Sequence, residues 1–287
     1  MKKYDKSFIM KHYKDCTSFK LTEDILDDND ELVVGSIDVS LTSRCNLKCK
    51  DCGSLMQFYE EPRDVELEVI IKSLDRFLKC VDKVVRVNVV GGEAFLHPDM
   101  DEVIEYLNYS DKIIKVVIPT NGTVYNVDER VFLALQHSKN QVRISHYEAF
   151  NKKTGKLLER LEEYGIDYSV KKFGVNDYLW FDFGGFEKRS RDVEDIAIQY
   201  KNCVVEWYSL YNGKLYPCPR AAHAIDLGYI EEEGNYVDCL DEKIPLKILK
   251  EQLQEYVYER AYHPACQHCD RGTGKCLVVP VAEQLKS

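Results

Sequence analysis

Ser40-Leu-Thr-Ser-Arg-Cys-Asn-Leu-Lys-Cys-Lys-Asp-Cys-Gly53 follows directly on the apolar run Leu32 to Val39 and sets Cys45, Cys49 and Cys52 in a C-x3-C-x2-C spacing. A four-iron four-sulfur cluster normally takes four thiolates. A tight loop that offers three leaves one iron open to an outside ligand, and an open iron is a place for chemistry. Two other readings stand beside this one: a zinc knuckle, since soft thiolates also suit zinc, and a set of buried free thiols.

Further along, Val84-Val-Arg-Val-Asn-Val-Val90 reads as a strand and runs into Gly91-Gly92-Glu93. Glycines let the backbone approach a ligand closely, and a carboxylate pairs well with an ammonium. The triplet followed by this segment about forty residues later resembles the radical S-adenosylmethionine (SAM) superfamily. The resemblance implies that Cys45, Cys49 and Cys52 hold a cluster whose open iron is chelated by the amino and carboxylate groups of SAM. It further implies that Gly91, Gly92 and Glu93 meet the SAM amino group, and that an electron from the cluster cleaves SAM to a 5'-deoxyadenosyl radical. The likeness covers nearly the whole chain after residue 32. One position departs from it: many family members carry an aromatic residue just before the third cysteine, near the adenine, where this chain has Asp51. Adenine stacking then falls to other residues, with Met56, Phe58 and Tyr59 as candidates.

The chain has 287 residues, of which 45% are apolar, enough for a core of roughly 200 residues plus a smaller module. Its 49 acidic and 39 basic residues give a net charge of -10 without a long basic run, which argues against a nucleic-acid partner. No apolar stretch has the length of a signal core or a membrane span, so a cytoplasmic protein is expected. Eleven cysteines, an odd count, point to metal or catalysis rather than to disulfides. The short acidic run at Glu231 to Glu233 reads as a solvated turn.

From Leu32 strands and helices alternate, the pattern of a parallel sheet wrapped by helices. Expected strands are Gly35 to Leu41, Val84 to Val90, Ile113 to Pro119, Gln141 to Tyr147, Ile166 to Phe173 and a sixth at Tyr178 to Phe183. Expected helices include one capped by Asp64, with Leu67, Ile70, Ile71, Leu74, Phe77 and Leu78 at helical spacing. Others run from Asp99 to Asn108, Asp128 to His137 and Thr154 to Tyr164. The fold class is α/β, a partial (β/α)6 TIM-like barrel with a small C-terminal iron-sulfur module of a hairpin plus a helix. Barrels place chemistry at the carboxyl ends of strands, where Asn121 and Ser145 become candidate SAM contacts and Tyr147 a candidate substrate contact. The expected division is an extension over residues 1–31, a core over 32–190 and a second cysteine module over 191–287.

In that last part Cys203, Gly213 and Cys218 are followed by the pair Cys266 and Cys269. Asn212-Gly213 between apolar segments is a strong hairpin signal. This C-x9-G-x4-C with a later C-x2-C resembles the twitch module, a shortened form of the SPASM extension of radical SAM enzymes. The resemblance implies one auxiliary four-iron four-sulfur cluster on Cys203, Cys218, Cys266 and Cys269; four cysteines also suit zinc. Cys16 and Cys80 are expected to pack as small hydrophobes, while Cys239 and Cys276 are inert or lend a hydrogen atom to a substrate radical.

Trp180, Asp182, Arg220 and His223, with Tyr147, are expected to face the barrel mouth. The resemblance implies hydrogen abstraction from a small polar substrate, a sugar or aminocyclitol, because twitch enzymes include an aminocyclitol dehydrogenase. Dehydrogenation by this oxidoreductase passes a second electron to the auxiliary cluster, whereas epimerisation returns a hydrogen from Cys239 or Cys276. The family also implies an external electron donor such as flavodoxin or ferredoxin. A peptide maturase is the alternative, set back by the short stretch before the first strand; a non-catalytic iron-sulfur electron carrier or zinc-binding module is the alternative of another class.

Overall fold

A computed structural model describes residues 31–203 and 207–285. Cys16 and the expected N-terminal extension lie outside the described residues, apart from Glu31. Five strands build the core: β1 (Val33–Ser40), β2 (Lys83–Val90), β3 (Ile113–Thr120), β4 (Asn140–Tyr147) and β5 (Tyr168–Phe173). Each pairs in parallel with the next, in register from Val33 opposite Lys83 to Tyr147 opposite Phe173. Helices α1 (Leu67–Cys80), α2 (Met100–Tyr109), α3 (Glu129–Leu135) and α4 (Thr154–Glu163) make the crossovers. All eight residues of β1 are buried, as a strand covered on both faces requires. From α1, Ile70, Leu74, Phe77 and Leu78 enter the core, each worth about 1.5–3 kcal/mol when fully buried.

Local capping differs from expectation in one place. Asp64 does not cap α1, whose N-cap is Glu66 without a side-chain bond. Asp64 instead bridges to Thr42 and pairs its carboxylate with Arg44 at 2.9 Å, tying the chain before α1 to the cysteine loop. Asp128 does cap α3, accepting from the Arg130 amide.

The larger correction concerns the sixth strand. Residues Tyr178–Phe181 form β6, but it pairs antiparallel with β10 (Val278–Pro280) in a separate two-stranded ribbon. The sixth parallel strand is β7 (Tyr208–Tyr211), on the free side of β1, with Ile37 opposite Tyr208 and Val39 opposite Leu210. Antiparallel β8 (Lys214–Tyr216) and β9 (Val237–Asp238) continue the sheet, giving the order β5-β4-β3-β2-β1-β7-β8-β9. The expected hairpin is present, with Asn212 and Gly213 both at positive φ (48° and 83°), the signature of a tight I′ turn. It is an extension of the core sheet, so the sheet runs through the boundary expected near residue 190. Three further helices, α5 (Val193–Asn202), α6 (Pro219–Asp226) and α7 (Leu246–Gln254), complete this half. Helix α7 is fastened to the α1 end by Lys250 to Asp82 at 3.0 Å.

Candidate active site

Because β1 to β4 run parallel, their carboxyl ends deliver the cysteine loop, Gly91-Gly92-Glu93, Thr120-Asn121-Gly122 and Ser145-His146-Tyr147 to one edge of the sheet. The first two are stitched backbone to backbone: the Gly92 amide donates to the Thr42 carbonyl at 2.8 Å and the Glu93 amide to that of Arg44 at 2.9 Å. A Cβ on Gly91 would stand 2.7 Å from the Thr42 carbonyl, and one on Gly92 would stand 2.7 Å from the Cys45 Cβ. The glycines therefore make room for the cysteine loop itself, a role that the sequence pattern alone attached to a ligand.

Glu93 is only 2% exposed. Its Oε1 accepts from Thr120 Oγ1 at 2.9 Å and its Oε2 from the Asn121 amide at 2.9 Å, which locks the end of β2 to the end of β3. Burial pushes the carboxyl up to about 7, against these hydrogen bonds. Asn121 reaches the cysteine loop through Asn46 at 2.9 Å. The Ser145 hydroxyl meets Tyr147, whose ring stacks on Phe173 and lies near all three loop cysteines.

The three thiols are near neighbours, and each receives N–H groups. Leu47 donates to Cys45 at 3.5 Å, Gln284 to Cys49 at 3.1 Å, and the amides of Met56, Ser54 and Leu55 to Cys52. Burial pushes Cys45 up to about 12 and Cys49 up to about 11. The donor set fits an iron-sulfur cluster: soft ligands, grouped and at least partly buried, with amides turned toward the sulfurs to stabilise thiolate charge. Among the described residues no three His, Cys, Asp or Glu side chains converge to hold a single ion. A cluster makes a different demand, since each thiolate meets its own iron.

Cys203, Cys218, Cys266 and Cys269 line one cavity of about 50 Å³ with Pro217 and Ala265. Cys218 caps α6, its sulfur accepting from the Ala221 amide at 3.4 Å, and Cys269 accepts from the Arg271 amide at 3.3 Å. The loop of Cys266 and Cys269 is held by Gln199, which donates to both of their carbonyls at 3.1 and 2.8 Å. These four thiols, too, form a donor set suited to a cluster.

Between the two cysteine groups lies a cavity of about 220 Å³ lined by Cys52, Lys50, Asp51, Phe58, Asp182 and Arg220, among others. Arg220 lines the four-cysteine cavity as well. It donates to the Gly184 carbonyl at 2.5 Å, while Asp182 accepts from the Gly184 amide at 2.8 Å, so the two together shape the Gly184 loop. Asp51 Oδ2 is buried without a hydrogen-bond partner. Burial, opposed by Lys50, and repulsion from Asp182 hold its carboxyl above the ordinary range.

The remaining expected residues divide. Tyr147 lines a different cavity, of about 320 Å³, closed by Val281 to Gln284. Trp180 packs edge-on against Tyr147, in the cluster that contains Cys49 and Val281. His223 does not face the mouth: it is 1% exposed, with Nδ1 2.9 Å from Tyr59 Oη and Nε2 3.4 Å from Ser40 Oγ. Cys239 is 0% exposed in the main core, so it is no hydrogen donor to a substrate; α6 and β9 are drawn onto the sheet that buries both residues. Cys80 is buried as expected. Cys276 is partly buried beside Cys269, and burial pushes its thiol up to about 11. Sequence reasoning passed over Gln284, and a lone glutamine near the C-terminus carries no local signal that would have found it.

Residues 39–172 match the family description Radical SAM superfamily. The antilisterial bacteriocin subtilosin biosynthesis protein AlbA of Bacillus subtilis (strain 168) is 28% identical over 178 residues, 56% of this chain and 37% of that protein. The GTP 3',8-cyclase of Aquifex aeolicus (strain VF5) is 27% identical over 135 residues, 46% of this chain and 41% of that protein. The chain thus spans about two-fifths of the length of these curated relatives. Among solved structures, BtrN in complex with AdoMet and 2-DOIA shares the fold with a TM-score of 0.51 at 16% identity, covering 89% of this chain and 98% of that one. No helix among the described residues is long and apolar enough to cross a membrane. With three cysteines, one buried and two partly buried, gathered beside a Gly-Gly-Glu turn at the carboxyl edge of a parallel sheet, and with that family match across the same residues, residues 39–172 form a radical SAM domain, whose characteristic cofactors are a four-iron four-sulfur cluster and SAM.

Proposed function

We propose that this protein takes a hydrogen atom from a carbon of a small polar substrate, a sugar or aminocyclitol, as a dehydrogenase or epimerase. The observation that carries this reading is the cavity of about 220 Å³ that reaches from Cys52 to Arg220, with Arg220 shared by the four-cysteine cavity. A ligand seated there meets Cys52 of the first cysteine group and reaches the second group only through Arg220, and the size suits a single sugar-like ring better than a macromolecular segment.

In this reading Cys45, Cys49 and Cys52 hold the cluster that SAM completes, and Cys203, Cys218, Cys266 and Cys269 hold the auxiliary cluster. Gly91, Gly92, Glu93, Asn121 and Ser145 shape the SAM site, with Glu93 acting through its clamp on β3. When bound, the cluster and SAM supply one-electron cleavage chemistry, for which a flavodoxin or ferredoxin is the external donor. The chain's own residues bind and orient the substrate. Lys50 and Arg220 bring positive charge to the cavity, and Asp51 and Asp182 accept from hydroxyl or ammonium groups.

The test is anaerobic turnover of reconstituted protein with SAM, reductant and a panel of sugars and aminocyclitols, reading 5'-deoxyadenosine and product mass. A product lighter by two hydrogens supports dehydrogenation; one of unchanged mass that gains a solvent deuterium supports epimerisation. In the epimerase case Cys276→Ala abolishes deuterium uptake and Cys239→Ala does not. The match to the subtilosin biosynthesis protein favours a second reading, maturation of a ribosomal peptide. Turnover of a precursor peptide with no sugar or aminocyclitol accepted would replace the first reading with the second.

A further inference from the structure

The last described residues return across the molecule and close over the cysteine loop. Beyond β10 the chain turns at Ala282, which has a positive φ of 54°, and then pairs with the loop as an antiparallel bridge centred on Cys49 and Gln284. The Lys50 amide donates to the Glu283 carbonyl at 2.7 Å and the Leu285 amide to the Lys48 carbonyl at 2.8 Å, one bond on each side of the bridge. Val281 and Ala282 pack with Cys49 and Phe173, so the strap is anchored by apolar contact as well.

The Gln284 side chain is fully committed within this bridge. Its Oε1 accepts from the Lys48 amide at 2.8 Å, while Nε2 donates to the Ala282 carbonyl at 2.8 Å and to Cys49 Sγ at 3.1 Å. A flipped amide would set its oxygen against the Ala282 carbonyl and its NH2 against the Lys48 N–H, so the network fixes which end faces the sulfur. Of the three loop thiols, Cys49 is the one that, beside a backbone N–H of its own loop, draws a donor from outside residues 45–56.

We infer that Gln284 is a positioning residue of the cluster: its amide orients the Cys49 thiolate and, by hydrogen-bonding the ligand sulfur, raises the reduction potential of the cluster. A donor to a ligand thiolate stabilises the more electron-rich, reduced state, which is how hydrogen bonds to sulfur set the potentials of iron-sulfur centres. The inference rests on Cys49 being a cluster ligand.

The test is a potentiometric titration, followed by electron paramagnetic resonance, of the reduced-cluster signal that SAM addition perturbs. Iron and sulfide content are measured alongside. Gln284→Leu removes the donor, and the midpoint potential is expected to move to more negative values while iron content stays at the parent level. Gln284→Glu keeps the shape and the acceptor toward Lys48 but turns an anionic oxygen on the sulfur; it is expected to shift the potential further in the same direction or to lose the cluster. A loaded Gln284→Leu or Gln284→Glu protein with the parent potential overturns the inference, as does reduced iron content with an unshifted potential in the loaded fraction. Cys49→Ala separates the two layers: a SAM-responsive signal that survives it refutes Cys49 as a ligand, and with it the premise, whereas its loss leaves the Gln284 result to stand on its own.

Discussion

Gly92 sits so close to the Arg44 carbonyl that a Cβ on it would stand 2.4 Å from that oxygen. The obstacle is backbone, which does not swing aside as a side-chain tip does. Gly92→Ala is therefore expected to push the cysteine loop off the Gly-Gly-Glu turn, lowering stability by about 2–3 kcal/mol and cutting the iron bound on reconstitution. Gly155, in α4, has open space around its missing Cβ, and Gly155→Ala is expected to stabilise by about 0.5–1 kcal/mol. Urea unfolding of the two variants checks the contrast; equal midpoints would mean that the close approach does not constrain the loop.

Asp38 supplies a pH prediction. Burial, opposed by the hydrogen bond from Asn88, pushes its carboxyl up to about 7 in the fold from an ordinary value of 3.8. Between those limits the folded state binds more protons than the unfolded one, so this group makes stability fall as pH rises, with the full cost present above pH 7. The cost is on the order of 4 kcal/mol for about three pKa units. Asp38→Asn should gain stability relative to the parent between pH 5 and pH 8. Unfolding curves whose separation is the same at both pH values would show that Asp38 is not the source.

Tyr59 bridges the buried His223 and the partly buried Asp226. Its hydroxyl donates to Asp226 Oδ2 at 2.7 Å and lies 2.9 Å from His223 Nδ1, so it accepts there from an Nδ1–H, leaving Nε2 to accept from Ser40. The ring is neutral, since burial pushes His223 down to about 4. Tyr59→Phe strands that Nδ1–H and is expected to cost about 1–3 kcal/mol. A shift of the chemical unfolding midpoint measures it, and a variant as stable as the parent would show that the network carries no net stability.

Cys218→Ala should lower the iron content of reconstituted protein to about half, because one of two four-iron sites is lost. The SAM-responsive signal should survive in this variant and vanish in Cys45→Ala. Parent iron content in Cys218→Ala would remove the auxiliary cluster from the reading of this protein.

How much of this was legible in the chain depends on how far apart the interacting residues lie. The cysteine loop, the Gly-Gly-Glu turn and the apolar stripe of α1 are local patterns, and they stand within a residue or two of where periodicity put them. The sixth strand was misassigned because Tyr178 to Phe181 and Tyr208 to Tyr211 are both four-residue aromatic-rich runs, and nothing local says which will meet the edge of β1. The burial of His223 and Cys239 follows from that same pairing. The Cys49 to Gln284 bridge joins residues on two-residue scales of structure, far below the length at which alternation becomes readable.

The pairing of β1 with β7 also governs the order in which the molecule is assembled. β1 gains its second neighbour only from residues 208–210, and the loop of Cys49 is closed only by residues 283–285. Contacts of such long sequence separation form late and slowly. Until residues 283–285 fold down, the Cys49 loop therefore lacks its antiparallel partner, and the Cys49 thiol is left without the side chain that donates to it.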